Sequence, residues 1–161
     1  MKSKKLLSII LALAMMFSVL PASTVLVYAD EITETISADT TWNDGDTVGG
    51  VTISGGTVTI NGDVSITAAI TIKGDVTFTG GGTLNRMSTS GNLIKVESGS
   101  LTLGNVTIDG NDVIISDSGA VAAINMADGT VIMNDGTKLT NHKRTSGYGP
   151  AVYMAGGNFK M

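Results

Sequence analysis

Five short runs of one form, apolar–polar–apolar, follow one another at nearly fixed spacing: Val51-Thr52-Ile53, Val58-Thr59-Ile60, Val64-Ser65-Ile66, Ile70-Thr71-Ile72 and Val76-Thr77-Phe78. They begin at residues 51, 58, 64, 70 and 76, so the steps are 7, 6, 6 and 6. Alternation over three residues puts both apolar side chains on one face of an extended chain. Val, Ile, Thr and Phe favour a pleated surface. The spacers Ser54-Gly55-Gly56, Asn61-Gly62-Asp63 and Lys73-Gly74-Asp75 supply the residues that sharp corners need. A three-residue strand is too short to stand in a free hairpin sheet. Each run must therefore pair its backbone with, and bury its apolar pair against, something else. Stacked coils meet both needs, because each strand pairs in parallel with its equivalent one coil on. Three such faces make a coil of about 18–22 residues. The narrow interior suits Val, Ile, Leu and Met and leaves little room for Trp or Tyr, which fits an aromatic content of 4%.

A longer unit follows. Ile94-x-Val96-x-x-Gly99-x-Leu101-x-Leu103 is repeated as Ile124-x-Met126-x-x-Gly129-x-Val131-x-Met133 and as Val152-x-Met154-x-x-Gly157-x-Phe159-x-Met161, at offsets of 30 and 28. Loop insertions stretch the basic coil to this length. In the first unit Val106 and Ile108 precede Asn111; in the second Leu139 precedes Asn141, a match that needs a one-residue slip. Only residues 120–126 have a helix-permissive composition, and they read as loop plus strand. Left-handed hexapeptide helices also run on six-residue steps, but the longer looped repeats favour a right-handed coil. The expected fold is all-β: a right-handed parallel β-helix, or β-solenoid, truncated at its C-terminal end, since Met161 falls inside a repeat whose earlier copies continue through another strand.

The N-terminus has a different character. Lys2, Lys4 and Lys5 precede an uncharged apolar run at residues 6–20, Pro21 interrupts it, and Val27-Tyr28-Ala29 stands before Asp30. These are the three parts of a secretory signal, assigned to residues 1–29. The apolar run is short for a membrane span, about 22 Å against a hydrocarbon core of about 30 Å. Residues 30–47 read as a polar lead-in and N-terminal cap, with Trp42 covering the first coil, and 48–161 as incomplete β-helix repeats. Removing 1–29 takes three of the 10 basic residues and none of the 14 acidic ones, leaving 132 residues with a net charge of −7. This acidity argues against a nucleic-acid partner, and membrane contact is expected only through the signal before cleavage. The absence of cysteine excludes disulfides, a thiol nucleophile, a lipoprotein anchor and cysteine-ligated metals.

With units such as Gly99-Ser100-Leu101-Thr102-Leu103-Gly104-Asn105-Val106-Thr107-Ile108, residues 42–161 resemble the right-handed parallel β-helix family, the pectate-lyase-like (pectin lyase-like) superfamily. The segment Gly147-Tyr148-Gly149-Pro150-Ala151-Val152-Tyr153-Met154-Ala155-Gly156-Gly157-Asn158-Phe159-Lys160-Met161 looks like the repeats of large adhesin-like surface proteins of Gram-positive bacteria. The resemblance implies a secreted or cell-surface bacterial protein with a structural or adhesive role. Its partner would be an extracellular glycan or surface protein, bound through the extended surface. The alternative it implies is the N-terminal part of a polysaccharide lyase or glycoside hydrolase. The polygalacturonase-like motifs Asn-Thr-Asp, Asp-Asp, Gly-His-Gly and Arg-Ile-Lys are not in the chain. A lyase would need a carboxylate cluster with a basic residue, for which Asp109, Asp112, Asp128 and Asp135 with Arg144 are the available groups. A non-catalytic protein is the favoured expectation.

Two clusters offer chemistry. His142, the single histidine, stands with Lys143 and Arg144 in the one basic cluster of the mature chain, between two repeats, where an inserted loop is expected. Loops on a rigid scaffold are where binding residues concentrate. With Tyr148 these form the candidate binding set. Asp109, Asn111 and Asp112 gather oxygen donors around Gly110 and are the candidate Ca²⁺ ligands, although Ca²⁺ takes six to eight oxygens and a second loop would have to contribute. The simpler reading is that Asp, Asn and Gly stand there because the turn requires them. No cofactor beyond Ca²⁺ is expected.

Overall fold

The computed structural model describes residues 30–147 and 149–161; the segment assigned to the secretory signal, and Tyr148, lie outside the described residues. Among the described residues there are 16 strands and no helix. In chain order, the first coil carries β1 (Thr40–Asn43) and β2 (Thr47–Val48). The second carries β3 (Thr52–Asn61) and β4 (Asp63–Ile66), and the third β5 (Ile70–Thr79) and β6 (Thr83–Arg86). The fourth holds β7 (Ile94–Val96), β8 (Ser100–Leu103), β9 (Thr107–Asp109) and β10 (Ile114–Ile115). The fifth holds β11 (Ile124–Met126), β12 (Thr130–Met133), β13 (Lys138–Thr140) and β14 (Lys143–Arg144), and the sixth β15 (Val152–Met154) and β16 (Asn158–Lys160). Every strand pair is parallel. The curled sheets enclose one apolar interior, an arrangement consistent with a parallel β-solenoid.

The register explains the repeat. Ile53 pairs with Ile72, Ile72 with Val96, Val96 with Met126 and Met126 with Met154, so one inward row is apolar from coil to coil. Ile70, Ile94, Ile124 and Val152 form a second such row. Fully burying such a side chain is worth about 1.5–3 kcal/mol; in the sixth coil Val152 is part-buried and Met154 is 43% exposed. The slip at Asn141 is present too: Leu139 pairs with Ile108 and Thr140 with Asp109, which brings Asn141 level with Gly110 rather than with Asn111.

The glycine of the long repeat has its own row. Gly99, Gly129 and Gly157 have φ of 75°, 88° and 80°. A Cβ on Gly99 would lie 2.4 Å from backbone atoms of Gly74, one on Gly129 2.4 Å from the Gly99 oxygen, and one on Gly157 2.4 Å from the Gly129 oxygen. Successive coils touch backbone on backbone at this corner, which no other residue allows.

Trp42 does not cover the first coil. It is 1% exposed, inside the core, with its ring edge-on to Phe78 at a centroid distance of 5.8 Å. Residues before it already run as solenoid: Ile32 bridges to Val48 and Ile36 to Ile53. The interior therefore does hold a Trp. From the first coil the ring reaches Phe78 of the third.

The coils lengthen along the chain, and almost all the extra length leaves from one corner. Between the last strand of one coil's third face and the first strand of the next there are three residues after β2 and three after β4. There are then seven after β6 (87–93), 14 after β9 (110–123) and 11 after β13 (141–151). The other corners keep one to four residues. The insertions stack on one another, and Ile114 and Ile115 of β10 pair with Lys143 and Arg144 of β14.

Candidate functional site at the loop edge

This stacked edge carries His142, Lys143, Arg144, Asp109, Asn111 and Asp112. Its base is Arg86. The strand Thr83-Leu84-Asn85-Arg86 alternates half-buried and buried, and alternation turns Arg86 inward, level with Ile66 of the coil before. The side chain is 1% exposed, yet no carboxylate lies within ion-pair distance among the described residues. Its guanidinium donates to main-chain carbonyls: Gly91 at 3.0 Å, Ser88 at 3.4 Å and Ala122 at 3.4 Å. Burial pushes its pKa down from the usual arginine value and the charge of Asp117 partly opposes this. Arginine keeps its proton under such conditions, so a positive charge is held inside the wall by carbonyl dipoles.

The long loop 110–123 is held from both sides. From the coil before, the Asn92 side-chain oxygen accepts from the Ala122 N–H at 3.0 Å, and Asp117 reaches back to accept from the Gly91 N–H at 2.6 Å. From the coil after, the Arg144 guanidinium donates to the carbonyls of Asp117 at 2.7 Å, Gly119 at 3.1 Å and Val121 at 2.5 Å. Arg144 thus turns toward the loop wall and braces it.

His142 sits at the same corner, half-buried, with Nε2 at 3.0 Å from the Ile108 carbonyl oxygen. Its pKa is pushed below the ordinary histidine value, first by burial; the bond to Ile108 and the Asp109 charge oppose this, and the Arg86 charge adds to it. Lys143 points outward and pairs with Asp112 at 2.9 Å, both side chains being more than half exposed. Such a pair is worth about 0–1 kcal/mol. Lys143→Met should therefore move a urea unfolding midpoint by no more than an amount equivalent to about 0.5 kcal/mol, and less in high salt.

The oxygen-rich turn is spoken for. Asp109 Oδ1 accepts from the Asn111 N–H at 2.6 Å, and both its oxygens accept from the Asn141 side-chain amide at 3.1 Å. Asn111 and Asp112 have φ of 51° and 53°, the left-handed conformation that Asn and Asp tolerate in turns. Asp112 is engaged by Lys143. Among the described residues, no three His, Cys, Asp or Glu side chains converge as a metal site requires. Asp128 and Asp135 lie on other corners, between β11 and β12 and between β12 and β13. An open recess of about 290 Å³ lies away from this edge, lined by residues 133–137 and Met161.

The edge thus gathers His142, Lys143 and Arg144 with Asp109, Asn111 and Asp112 at one corner, two clusters that the sequence reading treated separately. It also adds Arg86, Asn92 and Asp117, which that reading passed over. The signal for Arg86 was available: carrying the alternation from Leu84 two residues on makes position 86 inward. The terminal guanidinium nitrogens of Arg86 and Arg144 donate to the protein's own carbonyls, while Lys143, Met87 and Ile114 face solvent, the last two 51% and 56% exposed. No protein-family model matches the chain, and no curated protein or solved structure is significantly similar to it.

Proposed function

We propose that this chain is a secreted or cell-surface right-handed β-helix that serves as a structural or adhesive stalk, holding an extracellular glycan or surface protein by extended contact. The observation that carries the proposal is the register of the outward side chains. Thr57, Thr77 and Thr102 stand in one row, and Thr41, Thr59 and Thr79 in a second, two residues along the strands. Coils repeat at about 4.8 Å and alternate residues at about 6.7 Å, so hydroxyl and methyl groups recur at fixed spacing across a stiff face. Many weak contacts of this kind add up through multivalency rather than through a deep pocket. The right hand follows from the strong preference of parallel strand-to-strand crossovers. The basic, apolar and small-residue parts of residues 1–29 support export. The catalytic alternative has less behind it, because Arg144, the base it would draw on, donates to three loop carbonyls.

Affinity electrophoresis through gels containing acidic or neutral polysaccharides, alongside binding to immobilised matrix proteins, tests this. Long polymers or whole proteins should retard the chain, and fragments of two or three sugars should not compete. Thr77→Glu, which breaks the row at its centre with an exposed charge, should reduce the retardation by about tenfold while leaving the fold intact. Equal competition by short fragments would overturn the extended-contact reading. New unsaturated or reducing ends in the polymer would favour the lyase or hydrolase.

A further inference from the structure

We infer that the corner holding His142 is a proton-operated catch: the ring must be neutral for residues 110–123 and 141–147 to stay docked, and its protonation releases them. The inference concerns the order of the loops and needs no ligand, so it stands apart from the adhesive reading.

The tautomer follows from the partner. The Ile108 carbonyl can only accept, so Nε2, 3.0 Å away, carries the hydrogen. In a neutral ring Nδ1 is then a bare acceptor. It is buried and has no hydrogen-bond partner, and the same is true of Arg86 Nε, a donor at the same corner. The two are opposite in sense: a lone pair on one side and an N–H on a cation on the other. They are compatible in sense only while the ring is neutral. A proton on Nδ1 would turn the acceptor into a second donor and set a second positive charge close to Arg86 in a wall with little solvent.

The charged groups around the ring come from three elements. Arg86 of β6 opposes the proton and Asp109 of β9 favours it. On β14, Lys143 is tied to Asp112 and Arg144 to the loop carbonyls. Asp109 is a weak counterion here, since both its oxygens already accept from Asn141 and one also from the Asn111 N–H.

The backbone that carries the ring is also tightly placed. A Cβ on Gly110 would lie 2.7 Å from the His142 Cα and 2.3 Å from the Asn141 oxygen, so the two coils touch along their backbones. Giving a charged ring more water by this route means lifting residues 141–144 away from Gly110. That movement carries Arg144 off the carbonyls of Asp117, Gly119 and Val121 and frees the long loop. The lowered pKa of His142 agrees in sign. The folded state resists the proton, so stability is full above about pH 6.5 and falls as the pH drops from there through the folded value.

The chain has one histidine, which makes the test unambiguous in an untagged full-length protein. Amide hydrogen exchange at pH 7.5 and pH 5.0, corrected for intrinsic rates, should show residues 112–122 and 141–147 exchanging about tenfold faster in acid. The core strands β5 and β8 should be unchanged. His142→Gln, which cannot take the proton, should remove the acid response. A ¹⁵N NMR titration of the ring in the unmodified chain serves if that variant does not fold, and should give an Nε2–H tautomer and a midpoint below that of the urea-unfolded chain. Loops that exchange equally at both pH values, an acid response that persists in His142→Gln, or a ring that titrates at the unfolded midpoint would each overturn the inference.

Discussion

Arg86→Ala should lower the free energy of unfolding by about 3–5 kcal/mol, the range set by a large cavity together with buried carbonyls left without a donor. The side chain fills an inward position beside Ile66 and supplies hydrogen bonds to Ser88, Gly91 and Ala122. Against a total stability of about 5–15 kcal/mol for a domain of this size, the loss is large. Arg86→Met separates the two contributions. It restores much of the volume without the donors, so the urea midpoint should recover in part while residues 87–93 and 116–122 stay open to hydrogen exchange. An alanine variant less than about 1 kcal/mol weaker than the parent would mean that the buried guanidinium contributes no more than it costs to desolvate.

Gly129→Ala should cost about 2–4 kcal/mol, and Gly45→Ala about 1 kcal/mol. Both glycines have positive φ, at 88° and 84°. Both therefore meet the same conformational penalty, about 1 kcal/mol or somewhat more for a side chain in the left-handed region. They differ in space: a Cβ at Gly45 meets nothing within 4 Å, whereas at Gly129 it would meet the Gly99 oxygen at 2.4 Å. The excess at Gly129 measures the cost of prising two coils apart. Thermal unfolding of the two variants side by side reads it directly, and equal losses would show that the coils separate at little cost.

Much of the fold was legible because its rules are local and repeat. The alternation of Ile94-x-Val96 and Leu101-x-Leu103 states which side chains point inward, and the recurrence at 124 and 152 states which strands pair. The slip between Asn111 and Asn141 was readable for the same reason. Two side chains broke the pattern through their size and charge. Trp42 lies in an interior that the composition suggested was too narrow for it, packed edge-on against Phe78. Arg86 points inward because alternation dictates the direction of a strand side chain even where burial is costly, and the carbonyls that repay the cost come from Ser88 and Gly91 of the following loop and from Ala122, 36 residues away in sequence. Of the candidate site, the place was readable and the roles were not. His142, Lys143 and Arg144 are on the inserted loop, but only the three-dimensional arrangement shows that Arg144 is committed to carbonyls and Asp109 to amides.

The confinement of every long insertion to one corner has a consequence for how such a chain can be altered. Going from seven residues between β6 and β7 to 14 between β9 and β11 leaves the neighbouring inward rows in register. By closure entropy alone, such a doubling costs about 0.6 kcal/mol. The corner behaves as a socket: a foreign peptide could be spliced between Thr140 and Val152 with the core strands left as they are. The coils beneath would set its height along the axis to within one strand spacing. Displaying several different peptides on successive coils would give a ruler graduated at about 4.8 Å, on which the order of recognition elements is written directly as order in the sequence.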